Sequence, residues 1–393
     1  MPLGLYISVP FCKTKCSYCN FASDVFSRAV FERYVAAVCA EIEEAGQTAD
    51  QMGGSFDRAL DSIYFGGGTP TLLNVTQLER VFVTIRQNFD VLAGSEITME
   101  CAPGTLTASM IETLQRCGVN RVSLGVQSFD DQESASVGRL HKRSTVLDDV
   151  ARLRSAGISN INVDLIAGLP HQTRESWEAS LDQLISLDVP HASIYMLEVD
   201  EDSRLGRELL AGGQKYHAHF VPDEDLTADM YEIAGEHLNA AGIRQYEISN
   251  FARVGFESIH NLKYWKRQPY LGFGVDAHSM LPSAGKGSAV RFSNPDSLEK
   301  YLSGAARERT VISAEDALQE AFFLGLRLNK GVDVRTLQIE FGENQVRAYN
   351  EAISELTGAG LMEKEVATIR LTAKGRMLSN EVFERFISVD LAV

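Results

Sequence analysis

From Leu3 to about residue 245 the chain alternates between two hydrophobic patterns. Short, mostly apolar runs rich in β-branched residues recur at Leu3 to Val9, Ser62 to Phe65, Glu96 to Cys101, Arg121 to Gln127, Asn160 to Ile166 and Ala192 to Leu197. Runs of that kind predict buried parallel strands. Between them, apolar residues at helical spacing predict helices over Phe31 to Glu44, Thr76 to Gln87, Thr107 to Arg116, Thr145 to Ala156 and Glu175 to Leu187. The tetrad T-Q-L-E reads as a capping box between Thr76 and Glu79, and Gly118 and Gly157 stand where helices would end. The repeat, roughly thirty residues, is the length of one βα unit. Six such units fall short of the eight of a closed barrel. The expected fold class is α/β, a partial (β/α)6 barrel open on one side.

Past residue 245 the alternation stops. Residues 246–299 read as a loop-rich, aromatic connector carrying Y-E-I-S-N-F-A, H-N-L-K-Y-W-K and Y-L-G-F-G-V-D-A-H-S. From 300 to 393 the pattern is helical with one small hairpin. Ser313 caps a helix reaching about Leu328, Gln345 to Leu356 forms another, Leu361 to Glu363 pairs with Thr368 to Leu371, and L-T-A-K-G-R leads into a last helix. Helices followed by a wing-like hairpin predict a small winged-helix-like domain. Such modules can bind DNA, but from Lys300 onward 12 Lys plus Arg stand against 14 Asp plus Glu, and an acidic balance disfavours duplex binding. The expected organisation is a barrel over 1–245, a connector over 246–299 and a packing or lid domain over 300–393.

The formal net charge of −16 extends that argument to the whole surface, which should have no general affinity for nucleic acid or anionic membrane. The opening M-P-L-G-L-Y-I-S-V-P is too short and uncharged for a signal peptide, and no apolar run approaches the length of a membrane span. The protein is expected in the cytoplasm, where thiols stay reduced. Six cysteines are sparse for a disulfide framework. Cys12, Cys16 and Cys19 form a C-x3-C-x2-C loop just after the first strand. Thiolates are the ligands of iron–sulfur clusters, and three of them on a four-iron cubane leave one iron open to a small molecule. A structural zinc site would need a fourth Cys or His nearby, yet there is no second C-x2-C and the nearest histidine is His141. Cys39, Cys101 and Cys117 sit in apolar settings and read as buried, reduced thiols.

In parallel βα folds chemistry gathers at the carboxyl ends of the strands. The cysteine loop follows the first strand and Gly66-Gly67-Gly68-Thr69-Pro70 the second, Glu100 ends the third, Gln127 the fourth, and Asp164 lies in the fifth. Topology alone brings these to one rim. The glycines let backbone approach a ligand closely, although the same run could be no more than a tight turn. Glu100 is a charge at the end of an apolar strand and needs a partner, either a ligand ammonium or Arg121. Arg139 could fork onto a ligand carboxylate, and an inward Asp164 could accept from ribose hydroxyls. Amine, carboxylate and ribose together describe S-adenosylmethionine.

Through Y-I-S-V-P-F-C-K-T-K-C-S-Y-C, F-G-G-G-T-P-T, M-E-C-A-P-G-T, S-L-G-V-Q-S-F and V-D-L-I-A-G-L-P, the chain resembles the radical S-adenosylmethionine superfamily. Within it, the chain resembles the oxygen-independent coproporphyrinogen oxidases and their relatives, over nearly its whole length. The resemblance implies a [4Fe-4S] cluster on Cys12, Cys16 and Cys19, with S-adenosylmethionine on the open iron and its sulfonium cleaved by one electron to a 5′-deoxyadenosyl radical. It also implies that Tyr6, Tyr18, Gly67, Gly68, Thr69, Glu100, Gln127, Arg139 and Asp164 contact that cofactor. Two departures separate the chain from the oxidases, which carry a further cysteine two residues past the third and a long N-terminal extension. Here Phe21 stands in that place and eleven residues precede Cys12. Both departures match the haem-chaperone branch of the family, as does the H-N-x-x-Y-W motif of His260, Asn261, Tyr264 and Trp265.

On residues alone, H-N-L-K-Y-W reads as a histidine hydrogen-bonded inside an aromatic loop. The resemblance turns it into a haem site, with His260 as iron ligand, Tyr264 and Trp265 flanking the porphyrin, and Lys263, Lys266 and Arg267 meeting its propionates. His278 is the next candidate ligand, and the remaining histidines read as surface residues. The function implied is a haem chaperone that passes haem to an acceptor protein, with an electron donor serving the cluster and some acceptors at a membrane. The alternatives are an oxygen-independent coproporphyrinogen III oxidase and a radical enzyme with another substrate. Phe21 speaks against the first, and the His260 segment against the second.

Overall fold

Six parallel strands form where the apolar runs predict them. They are β1 (Leu3–Val9), β2 (Ala59–Gly67), β3 (Asp90–Cys101), β4 (Arg121–Gln127), β5 (Asn160–Ala167) and β6 (His191–Met196), paired in sequence order. The computed structural model describes residues 1–201, 203–285 and 287–387. Helices Ala29–Glu43, Val75–Asn88, Ala108–Arg116, Arg143–Ser155 and Arg174–Ser186 follow the first five strands. Gly118 and Gly157 fall just past their helices with left-handed backbone. The capping box sits two residues earlier than expected. Asn74 accepts from the Gln77 amide while the Gln77 side chain returns to the Asn74 amide. Asparagine outranks threonine as an N-cap, and Glu79 pairs instead with Arg116.

Residues 246–299 carry, between their loops, strands and a helix that the sequence did not announce. After the short strands β7 (Arg244–Gln245) and β8 (Asn250–Ala252), the chain crosses to the other edge. There β9 (Tyr270–Phe273) pairs parallel with β1, and β10 (His278–Pro282), β11 (Ala289–Ser293) and β12 (Glu308–Ile312) continue antiparallel. The sheet has twelve strands among the described residues, in the order β12-β11-β10-β9-β1-β2-β3-β4-β5-β6-β8-β7. Strand β9 is Y-L-G-F, four residues broken by a glycine, too short to announce itself by alternation.

Each parallel strand has two unlike faces, because successive side chains point to opposite sides. One set, including Ile7, Phe65, Met99, Leu124 and Val163, joins Val35, Phe82, Leu153 and Leu181 of the helices in one buried core. Burial contributes roughly 1.5–3 kcal/mol per large apolar side chain, so this outer face holds the fold. The intervening residues are polar or small: Tyr6 and Ser8, Ser62 and Tyr64, Glu96, Thr98 and Glu100, Arg121 and Ser123, Asn162 and Asp164, His191 and Ser193. They line the concave side and bond across it. Asn162 donates to Ser123, Ser193 and Asp164 at 2.8, 3.0 and 2.6 Å.

Helix Ile259–Trp265 plugs the amino-terminal end of this lining. Glu96 accepts from the Ile259 and His260 amides, both at 3.1 Å, and from the Ser258 hydroxyl at 3.4 Å. A carboxylate at a helix start meets unpaired amides and the positive end of the dipole. The buried Lys263 ammonium lies 2.6 Å from Asp61 and donates to the Pro2 carbonyl.

The C-terminal region has its own core, built on Leu318, Phe322, Tyr349, Ile353, Ile369 and Phe386. Ser313 caps helix Ala314–Leu326 through a capping box with Asp316. The helix expected over Gln345 to Leu356 is two pieces, Glu343–Arg347 and Asn350–Gly358. The hairpin strands Met362–Glu365 and Thr368–Leu371 gain a third partner, Val332–Asp333, so the wing is a three-stranded sheet.

Candidate cofactor site

The carboxyl ends of the strands open into a cavity of about 940 Å3, walled by the cysteine loop, the barrel rim and the C-terminal domain. Cys12, Cys16 and Cys19 line it, partly exposed and free of disulfides. Their loop is pinned from three directions. The Cys12 amide donates to Asp24, the Ser17 amide to Val137, and the Leu205 amide to the Ser17 carbonyl. A four-iron cubane spreads three thiolates over three irons, which suits three cysteines on one loop. Burial pushes the Cys12 and Cys19 thiols up, a cost that bonding to metal would offset by displacing the proton. Cys39, Cys101 and Cys117 are buried.

Tyr18, Gly67, Gly68, Thr69, Glu100, Gln127, Arg139 and Asp164 all line the same cavity. Tyr6 lines a small neighbouring one, which also touches Gly67 and Glu100. The Gly68 amide donates to the Val9 carbonyl at 2.8 Å, and a side chain there would meet the Phe11 carbonyl oxygen at 2.7 Å. Only glycine lets the second rim loop lie this close to the first.

Glu100 accepts from the Tyr64 hydroxyl at 2.7 Å. Burial raises its pKa to about 7 against the pull of Tyr64, with Asp164 raising it further and the Gly67 amide and Arg121 holding it down. Arg121 itself lies 3.9 Å from Glu96, so the rim carboxyl is left without a close cationic partner. Arg139 donates to the Tyr18 hydroxyl at 3.0 Å, yet its Nε is buried with no partner. Gln127 ends β4 at φ 71°, and its Oε1 is also buried and unpartnered. A non-glycine residue held in the left-handed region carries strain that ligand sites often store, and buried polar atoms ordinarily find partners. The thiol triad, the glycine cradle, the unpaired acid and the two orphaned polar atoms fit a cluster together with a cofactor bearing an amine and a carboxylate. Sequence reasoning missed Tyr64, Ser123, Asn162 and His191, whose signal was their alternation with apolar neighbours.

His260 does not line this cavity. It is 1% exposed. Its Nδ1 lies 3.0 Å from the Ser62 hydroxyl, its Nε2 lies 2.9 Å from the Tyr264 hydroxyl, and its ring stacks 5.3 Å from Tyr64. Burial, with Lys263 and Arg121 beside it, lowers its pKa to about 3. Both ring nitrogens are thus engaged in this structure, as are two of the basic residues: Lys263 pairs with Asp61, and Arg267 with Glu320. His278 is exposed and lies 3.8 Å from Asp276, outside the main cavity. Two other histidines are not at the surface: His141 bonds the Val126 carbonyl, and His191 spans Asn162 and Tyr246.

A parallel α/β half-barrel presenting a three-thiol loop, a glycine loop and a half-buried acid on one rim defines a radical S-adenosylmethionine protein. The Radical SAM superfamily model matches residues 6–184, and the HemN C-terminal domain model matches residues 312–378. The chain is 34% identical to heme chaperone HemW of Lactococcus lactis, over 99% of this chain and 98% of that protein. It is 34% identical to HemW of Bacillus subtilis, over 97% and 98%. The chain belongs to the HemW family. Coproporphyrinogen III oxidase HemN of Escherichia coli shares the fold, with a TM-score of 0.84 and 24% identity, covering 98% of this chain and 90% of that one.

Proposed function

We propose that this protein is a haem chaperone, which binds haem, passes it to an acceptor protein, and holds a [4Fe-4S] cluster and S-adenosylmethionine at the barrel rim. The observation that carries this reading is similarity to HemW relatives along the whole chain. Cys12, Cys16 and Cys19 would hold the cluster, which supplies one-electron chemistry when bound. Glu100, with the backbone of Gly67, Gly68 and Thr69, would take the amine of S-adenosylmethionine. Arg139 and Tyr18 would take its carboxylate, and Asp164 its ribose. Near neutrality Glu100 is poised to give up its proton to solvent and meet an ammonium as carboxylate. Tyr6 and Gln127 would complete the contacts. A one-electron donor would serve the cluster, the setting is cytoplasmic, and some acceptors are membrane-bound. Among the described residues no helix is long and apolar enough to cross a membrane. The test is titration of the cluster-loaded protein with haem, followed by mixing with an apo-haem protein. A stoichiometric Soret band that moves to the acceptor is expected, and no binding at stoichiometric concentration would overturn the reading.

A further inference from the structure

Whichever group ligates the iron, the carboxylates of haem need a place of their own. We infer that the C-terminal domain recognises the two carboxylates of an iron porphyrin through Arg327 and Arg376, within the same cavity whose other wall is the cysteine loop. The inference rests on the haem-chaperone reading and names the groups that would read the ligand.

Three observations support it. The cavity volume, about 940 Å3, lies at the upper end of what single-ligand pockets enclose, so the cofactor groups at the barrel rim need not fill it. Its lining includes the apolar side chains Leu197, Ile248, Tyr231 and Met377, which suit a flat apolar ring. Among the described residues the C-terminal domain adds Arg327, Arg376, Ser379 and Asn380 to the lining but no carboxylate, the acids there being Glu100, Asp164 and Glu198. Two cations on one wall are conspicuous in a chain of net charge −16.

Arg327 carries the strongest sign of an absent partner. Its guanidinium carbon lies over the Trp265 ring, 4.2 Å from the centroid, a cation–π contact that leaves N–H donors for bonding. Its nearest acid, Glu247, is 3.8 Å away, and both the Arg327 Nε and the Glu247 Oε2 are buried without a hydrogen-bond partner. A quarter of the Arg327 side chain, 25%, stays exposed. Arg376 uses one nitrogen on the Leu371 carbonyl at 3.3 Å and keeps donors to spare. Guanidinium forks match carboxylates in two-point bonds. S-adenosylmethionine, with one carboxylate beside an ammonium, does not call for a pair of cations, whereas haem carries two carboxylates on one edge.

The experiment titrates the cluster-loaded protein, with S-adenosylmethionine present, against haem and against haem dimethyl ester, following the Soret band. The unaltered protein should bind haem at least tenfold more tightly than the ester. R327A and R376A should each weaken haem binding about tenfold, the scale of one charge-assisted bond, and should shrink the preference for haem over ester while iron content is unchanged. The ester comparison needs no substitution, so it stands even if R327A folds poorly. Equal affinity of the unaltered protein for both ligands, or full haem affinity in both variants, would overturn the clamp and leave the chaperone reading intact. Failure of the unaltered protein to bind haem at all would overturn both.

Discussion

Replacing His260 by alanine separates a structural motif from a haem ligand. The imidazole is buried, bonded to Ser62 and Tyr264 and stacked on Tyr64. Alanine would strand the fully buried Ser62 hydroxyl, costing about 1–3 kcal/mol, and the half-buried Tyr264 hydroxyl, costing about 1 kcal/mol. The lost ring contact adds about 1–2 kcal/mol. The sum, about 3–6 kcal/mol, corresponds to a fall of about 5 °C in melting temperature for a chain of this size. A pH arm has a definite sign. Burial depresses the folded-state pKa from 6.5 to about 3, so unfolding takes up a proton between those values. This group therefore stabilises the fold above pH 6.5, and the contribution drains away as pH falls toward 3, at about 1.4 kcal/mol per unit. The difference between the unaltered protein and His260→Ala should follow that slope. Thermal melts across pH and Soret titrations on the same samples make the measurement. Expected are a destabilised variant and an unchanged Soret maximum. A shifted Soret band in a variant that melts like the unaltered protein would refute the plug and favour His260 as ligand.

Cys16→Ala should fail to retain a [4Fe-4S] cluster on anaerobic reconstitution, whereas Cys39→Ala should load normally, as iron and sulfide analysis will show. S-adenosylmethionine affinity should rise with pH through about 7, because Glu100, its pKa raised by burial to about 7, must shed its proton to meet an ammonium. Glu100→Gln should flatten that rise, and calorimetry showing the same pH dependence in both proteins would remove Glu100 from the amine site. The reduced, reconstituted protein should not convert coproporphyrinogen III to protoporphyrinogen IX, given Phe21, 64% exposed at the cavity mouth, where the oxidases carry a cysteine; product formation by chromatography would favour the oxidase.

The barrel was legible because its helices and parallel strands are long enough to show their periods, and because strand order places the cysteine loop, Gly66 to Thr69, Glu100 and Gln127 at one end. What stayed hidden has physical reasons. Runs such as N-I-N-V-D-L-I look apolar on average, yet Asn162 and Asp164 alternate with Ile161, Val163 and Leu165, and burial under helices decides which set faces outward. Strand β9 is too short to register a period, and its partner β1 is far away in sequence. The plug was invisible because nothing in the order of residues says that Glu96 and the start of helix Ile259–Trp265 meet. On residues alone His260 read as a histidine hydrogen-bonded inside an aromatic loop, and the structure shows those bonds and rings; the haem-ligand role came from the resemblance.

The constraint on H-N-L-K-Y-W can now be traced contact by contact. The His260 amide caps onto Glu96 while its ring bonds Ser62 and Tyr264. Tyr264 packs edge-on against Tyr270 of β9, the strand that extends the sheet past β1. Trp265 lies under Arg327 of the C-terminal domain. The motif thus joins the base of the barrel, the sheet extension and the domain that covers the rim. Above His260, Tyr64 passes a hydrogen bond to Glu100, so the plug also sets the floor on which the cofactor acid rests. A motif placed this way can matter for haem without touching it. Through Trp265 it touches Arg327, and through Tyr64 it is linked to Glu100, so its loss would disturb both proposed ligand sites at one remove. Haem affinity that falls in a Trp265 variant while the Soret position holds is therefore the signature of a positioning role, and a moved Soret band is the signature of a ligand.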